Sequence, residues 1–411
     1  MSRATVVAVV TCTACSGILG IGEPIVVPVD GGLVAPPEAG STDGCVAPFA
    51  RCSLGSSSCE TDLSKDPNNC GACGHQCIVS ACVAGRCQPQ VLLTGLPLRN
   101  YAGYLGLSPS RVVWANKATR GAYSIDKAGS VSRQYFVVTA FSPTTIDVHD
   151  DFFVVSDYNF YGVARYAVAG GSYEDPRAET CATGLGAVAE DTGAVYYAHL
   201  NDTGPCTGTT FHITKRTPTG AGAYTTAWDI PVSSFSGGAS KWMVLDATKL
   251  YFDSELQSGS KPAGIYSIAK VTGDTLALVA AGVFSGSPMA IDGTTIWTIE
   301  NVSSEAPKVI AIDLKTLTKR VVATTKRAFL DADADGNARA QIAFDDTHVY
   351  WTTAGGADNP STTGRVVRAL KTGTSAAEEV VVETEPLLYG MAIDQSFVYW
   401  SSETAIKRVA K

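Results

Sequence analysis

Apolar and polar positions alternate in short bursts along most of the chain, and one burst recurs. Ile342-Ala-Phe-Asp-Asp-Thr-His-Val-Tyr-Trp351 has an apolar start, an Asp-rich reversal, and then a branched residue followed by aromatics. That pattern predicts two short strands around a tight turn. Seven such ten-residue units align, over 105–114, 146–155, 188–197, 243–252, 289–298, 342–351 and 391–400, with their starts 41, 42, 55, 46, 53 and 49 residues apart. Units run on into two further apolar stretches, 308–313 and 319–323 after the fifth and 365–370 and 379–383 after the sixth. Four antiparallel strands at this period predict the blades of a β-propeller. The expected fold is all-β, with seven four-stranded blades over residues 88–411, their strands lettered a to d from the channel outward.

The two ends of this region complement each other. One run, Ile406-Lys-Arg-Val-Ala410, follows the seventh unit, and a strand without a blade, Val91-Leu-Leu-Thr94, precedes the first. Used as the outer strand of the last blade, residues 91–94 close the ring and remove an exposed edge. The a–b hairpin keeps one length, so the variable spacing falls in the b–c connections (199–208, 253–263, 352–364) and the d–a connections (230–241, 326–341). In a propeller both sets emerge at one mouth of the channel, and variable loops on a rigid scaffold are where binding concentrates. That mouth is the expected binding face, with Asp157, Tyr158, Phe160, Tyr161, His199, Asp202, Asp253, Glu255, Glu300, Asp358 and Glu403 as its candidate residues. Acids there outnumber Lys117, Arg120 and Lys261, which suits a cation or a basic or hydroxyl-rich ligand. Tyr158, Phe160 and Tyr161 suit stacking on sugar or peptide, and equally the packing of a blade edge.

Composition sharpens the front of the chain. Ten of the twelve cysteines lie before residue 88, and eight of them (Cys45, Cys52, Cys59, Cys70, Cys73, Cys77, Cys82, Cys87) fall within 45–87. So small an apolar content needs covalent staples, which predicts four disulfides and an oxidising compartment, with the pairing left open. A zinc site on Cys70, Cys73 and Cys77 with His75 is the competing reading. Residues 1–15 carry Arg3, a short apolar core and Thr13-Ala14-Cys15, and are read as an export segment. The ending resembles a bacterial lipoprotein signal, which implies acylation of Cys15, although Cys12 stands where Leu or Val is usual; a plain secretory signal is the other reading. Residues 16–44, rich in Gly and Pro without a period, are read as a linker. Tethering would then be by lipid alone, since no stretch approaches the roughly 18 apolar residues of a membrane span. A net charge of −8 with no basic run excludes nucleic acid as the expected partner.

Two stretches carry family resemblance. Asp66-Pro-Asn-Asn-Cys70-Gly-Ala-Cys73-Gly-His-Gln-Cys77, followed by Cys82-Val-Ala-Gly-Arg-Cys87, resembles the stigma-specific cysteine-rich family, in the form that heads exported myxobacterial proteins. The resemblance covers about 45 residues and implies an extracellular module without an activity. The Ile-Ala-x-Asp and Val-Tyr-Trp strings of the repeats resemble NHL-type propellers, a class containing lyases and ligand-binding scaffolds. No catalytic motif of that class maps onto this chain.

The sharpest chemical motif is Asp331-Ala-Asp333-Ala-Asp335-Gly336-Asn337, whose alternating carboxylates and glycine form the front half of a calcium loop. Position twelve is Ile342 instead of Glu, so calcium is an expectation balanced against a plain acidic turn. His149 and His348 fall in a–b turns and read as surface residues; His199 is the one candidate for acid–base work. Cys181 and Cys206 read as a disulfide between neighbouring blades. The tandem aromatics of strand b read as core. The functional expectation is a monomeric, surface-attached or secreted binding scaffold for a glycan, peptide or protein. The rival is a propeller enzyme, a metal-assisted lyase or hydrolase at the channel mouth.

Overall fold

The computed structural model describes residues 45–411 except 54–57, 96–103, 117–118, 138–142, 158–161, 172, 177–185, 202–209, 221–222, 233–239, 241, 255–261, 274–275, 284–286, 301–305, 326–340, 354–363, 375–376, 386–387 and 403. Every regular element among the described residues is a strand. The ten-residue pattern is the a–b hairpin, and its first and last residues face each other in all seven copies. The pairs are Leu105 with Trp114, Ile146 with Val155, Val188 with Tyr197, Met243 with Phe252, Met289 with Thr298, Ile342 with Trp351 and Met391 with Trp400. Each hairpin leads seven antiparallel sheets, six of four strands and one of three. Among the described residues blade two has three strands, and beyond the third, Gly162–Ala167, a bridge joins Arg165 to Glu174. Each strand a touches the strand a of the next blade, from first to last and back to the first, so the sheets form a closed ring.

Side chains alternate between the two faces of a strand, and in a blade both faces meet a neighbouring blade. Strand b is therefore apolar on both sides. Trp114, Tyr197, Phe252, Trp351 and Trp400 are fully buried, as are their neighbours Val113, Tyr196, Tyr350 and Tyr399. The sequence expectation that the tandem aromatics are core is met.

The acidic reversal between strands a and b has a repeated chemistry. In blade six Asp345 accepts hydrogen bonds from the amides of Thr347 (2.9 Å) and His348 (2.8 Å) and from the Tyr350 hydroxyl (2.9 Å). Asp246 does the same with Tyr251 (2.6 Å), Asp292 with the indole N–H of Trp297 (3.1 Å) and Asp394 with Tyr399 (3.0 Å). One carboxylate thus folds the turn and fixes the aromatic five places on.

A lysine then joins blade to blade. The residue after strand c donates its amide to the a–b turn of its own blade: Lys127 to Ser110, Lys270 to Thr248, Lys371 to Thr347 and Lys411 to Ser396. Its ammonium reaches the turn carboxylate of the preceding blade, pairing Lys127 with Asp394 (2.9 Å), Lys371 with Asp292 (2.9 Å), Lys411 with Asp345 (2.8 Å), and Lys270 with Asp191. The same ammonium lies over the aromatic ring fixed by that carboxylate, 5.2 Å from the Trp297 centroid for Lys371. Burial acts to raise these four carboxyl pKa values, but the lysine and the turn hydrogen bonds outweigh it and hold all four below the ordinary range. In blade five the position is Leu314, whose amide makes the same bond to Thr294, so Asp246 of blade four meets no such lysine.

Strand Gln90–Thr94 pairs with Ala405–Ala410 as the outer strand of blade seven, as the sequence predicts. Just ahead of it, four disulfides hold the small module: Cys45–Cys59, Cys52–Cys73, Cys70–Cys82 and Cys77–Cys87. The three cysteines of the zinc reading are divided among three of these bridges. Residues 42–411 form one compact unit. Cys70, Cys77, Cys82 and Cys87 share a buried cluster with Tyr350, Val366 and Val382 of blade six, and Arg86 pairs with Glu383 at 2.6 Å.

Candidate functional site

The a–b turns crowd round one mouth of the channel, because each strand a ends there. Across blades two to five this mouth opens into a cavity of about 730 Å³. Its polar lining includes Asp147 and His149 of blade two, Glu190 and Asp191 of blade three, and Asp246 and Lys270 of blade four. Asp191 and Lys270 neutralise each other, and Asp246 is held by its own turn. Asp147 and Glu190 remain.

These two sit on neighbouring inner strands and are joined directly, the Glu190 amide donating to Asp147 Oδ2 at 2.7 Å. Glu190 Oε1 accepts from Arg165 Nε at 2.5 Å, and Arg165 Nη1 donates to Glu174 at 3.0 Å. The Tyr224 hydroxyl donates to the same Glu174 oxygen, and the guanidinium lies 3.5 Å from the centre of the Phe152 ring. One cation therefore serves two carboxylates, with the third, Asp147, close by. Glu190 is almost wholly buried, at 4% exposure, and its Oε2 has no hydrogen-bond partner among the described residues. Burial drives its pKa up to about 7, with Arg165 opposing and Asp147 reinforcing the rise. Burial also raises Asp147. Both carboxyls are held toward the protonated form for want of positive charge, which a cationic partner would supply.

The sequence placed the binding face at the opposite mouth, and several of its residues fall elsewhere. Asp253 is not in a loop. It is a fully buried residue of strand Lys249–Ser254, accepting from Ser240 Oγ (2.8 Å) and the Trp242 amide (2.7 Å), so it ties strand b to the segment that leads into strand a of its own blade and is closed to ligand. His199 is likewise inside a strand, Ala194–Asn201, with its ring completely buried. Asp157 and Glu300 are the last residues of strands Phe152–Asp157 and Thr295–Glu300, and Glu300 pairs with Lys319 at 3.2 Å. In each case strand b continues at least two residues past the end of the ten-residue unit, carrying the position into the sheet. His149, read as a plain surface residue, lines the cavity. Tyr158, Phe160, Tyr161, Asp202, Glu255, Asp358 and Glu403 lie outside the described residues, as do Asp331, Asp333, Asp335, Asn337, Cys15, Cys181 and Cys206. The cavity residues that the sequence missed had a faint signal: Glu190 stands where five other repeats carry Ile, Leu or Phe at the third place of the unit.

No protein-family model and no curated protein matches this chain. Solved structures do. A streptogramin B lyase structure is 14% identical, covers 78% of this chain and 97% of its own, and superposes with a TM-score of 0.55. A catalytically inactive virginiamycin B lyase from Staphylococcus aureus, solved with quinupristin, is 15% identical, with coverage of 79% and 100% and a TM-score of 0.51. At such identity the likeness carries the propeller fold and no chemistry.

Proposed function

We propose that the protein is a non-catalytic binding scaffold of an oxidising compartment, holding a ligand at the channel mouth framed by the a–b turns of blades two to five. The observation that carries this reading is the Asp147–Glu190 pair, set in a cavity whose volume falls in the range of small-molecule sites, roughly 300–1,000 Å³. Two carboxyls of raised pKa, one with an oxygen uncommitted, favour a ligand that brings hydrogen-bond donors. An amine or a hydroxyl-rich compound has that chemistry, and its cationic form would also relieve the excess of acids around Arg165.

Four disulfides support an extracellular or periplasmic setting. The reading includes the lipoprotein-type leader, with Cys15 as anchor and residues 16–44 as spacer. The long loops of the opposite mouth belong to it as a second contact surface, on sequence grounds alone. The test is a binding screen of the disulfide-intact full chain against amines and glycans, repeated with Glu190→Gln and Asp147→Asn. A ligand of this site should bind each variant roughly tenfold more weakly, the loss of one charge-assisted hydrogen bond. Equal binding to both variants would place the ligand elsewhere and end this reading.

A further inference from the structure

Blade three departs from the other blades at one cross-strand pair. Two residues past its strand b aromatic, His199 faces His212 of strand c. The equivalent pairs are Asn116 with Gly121 in blade one, Asp157 with Gly162 in blade two, Ser254 with Gly264 in blade four, Glu300 with Lys308 in blade five and Thr353 with Arg365 in blade six. Glycine is needed there in blades one and four. A Cβ added to Gly121 would lie 2.3 Å from the Phe136 carbonyl oxygen, and one added to Gly264 would lie 2.1 Å from that of Ala280. In both blades the outer strand bulges at this level, between Ala122 and Tyr123 and between Ile265 and Tyr266. Blade three has its first bulge two residues later, between Lys215 and Arg216, and runs its outer strands to 11 and 10 residues. Blade three is the blade that sets two imidazoles opposite each other at this level.

The space so made collects a donor set. His199, His212 and Asp229 come from strands b, c and d, and one ligand atom from each lies within 4.8 Å of the others. His212 Nδ1 is 3.0 Å from Asp229 Oδ2, and His199 Nε2 is 3.9 Å from Asp229 Oδ1. Ligand atoms at zinc bond lengths in a tetrahedron are about 3.3 Å apart, between those two values. The imidazoles face each other with ring centres 5.5 Å apart. Thr214 donates its hydroxyl to Asp229 Oδ1 at 2.7 Å and accepts from His199 Nε2 at 2.8 Å, so a cation would take the place of the Nε2 proton while Thr214 keeps its bond to the carboxylate. Arg216, further along strand c, hydrogen-bonds Thr226 and the Tyr224 carbonyl.

We infer that His199, His212 and Asp229 form a binding site for a divalent cation of the zinc class. Two imidazoles and a carboxylate make a donor set zinc accepts, and zinc has no redox chemistry to be disturbed in an oxidising compartment. Binding requires each ring to carry its proton on the nitrogen turned away from the metal, and Asp229 to be ionised. This site is separate from the channel mouth and does not depend on the function proposed for it.

The test uses the disulfide-intact full chain, stripped with chelator and dialysed against zinc, with calcium as the parallel control. Elemental analysis should find one zinc per chain, and cobalt in its place should give visible absorption bands of a low-coordinate nitrogen–oxygen site. Asp229→Asn and His212→Ala, both at the outer side of the blade, should weaken zinc by on the order of 100-fold, since outer-shell losses alone cost about 10- to 100-fold. Thermal unfolding should rise with zinc in the parent and not in the variants. If the chain takes up no zinc, or if both variants bind it as the parent does, the three residues are only a hydrogen-bonded cluster or the ion sits on other histidines, and the inference fails.

Discussion

At the scale of single residues, burial decides what each carboxylate does. Glu190 and Asp345 are both acidic, both on or beside strand a, and both paired with a cation. Glu190 is buried more deeply than Arg165 compensates, so its pKa rises to about 7, whereas Asp345 collects a lysine, two amides and a phenol and falls below the ordinary range. The signs of their contributions to stability are therefore opposite. Between about pH 4.5, the ordinary glutamate value, and pH 7 the folded state holds a proton on Glu190 that the unfolded chain has released, so stability falls as pH rises through that window. Glu190→Gln mimics the protonated group. It should leave stability unchanged below pH 4.5 and raise it by on the order of 3 kcal/mol at pH 8, read from denaturant midpoints at the two pH values. A variant less stable than the parent at pH 8 would show that Arg165 fully compensates the charge.

At the scale of elements, what was legible in the sequence was local. The a–b hairpin announces itself because both of its strands, its turn and its buried aromatics lie within ten residues, at a period of two. Closure by residues 90–94 was legible because one blade lacked a strand and one strand lacked a blade. The lysine after strand c was not, because its partner belongs to another blade: Lys411 and Asp345 are 66 residues apart. His212 was missed for a related reason. Its pairing with His199 depends on how far strand b extends, and residues 199–201 read as loop from their polarity alone. The closing strand gives a test at this scale. Leu92 is 6% exposed and packs with Ile406 and Trp114. Leu92→Ala should destabilise by about 2–5 kcal/mol. Deleting residues up to 94 should expose the edge of 405–410 and produce concentration-dependent association, seen by light scattering. A deletion that stays monomeric and unfolds like the parent would mean the strand is not what closes the ring.

At the scale of the whole molecule, the ring is held by a tie repeated at four of its seven blade junctions. Four turn carboxylates of depressed pKa, Asp191, Asp292, Asp345 and Asp394, each contribute stability above the ordinary aspartate value near pH 4 and lose it as pH falls toward their folded values. Acid unfolding should therefore set in below about pH 4 and be steep, since the four titrate together on unfolding. Asp345→Asn, which keeps the turn geometry and removes the charge, should cost about 1–3 kcal/mol at neutral pH and flatten the acid limb. An acid limb as steep as the parent's would show that the ties are surface ornaments, as many exposed ion pairs are.

The way the module meets the ring has a mechanical consequence. Two residues, Gln88 and Pro89, separate Cys87 from the strand that closes blade seven, and Arg86 is already fastened to blade six. A pull on the chain ahead of Cys45 meets four covalent bridges first. What passes beyond them loads the closing strand along its own axis, so that its backbone bonds to 405–410 share the force instead of peeling one at a time. The load enters the propeller at its seam, in the direction the seam best resists.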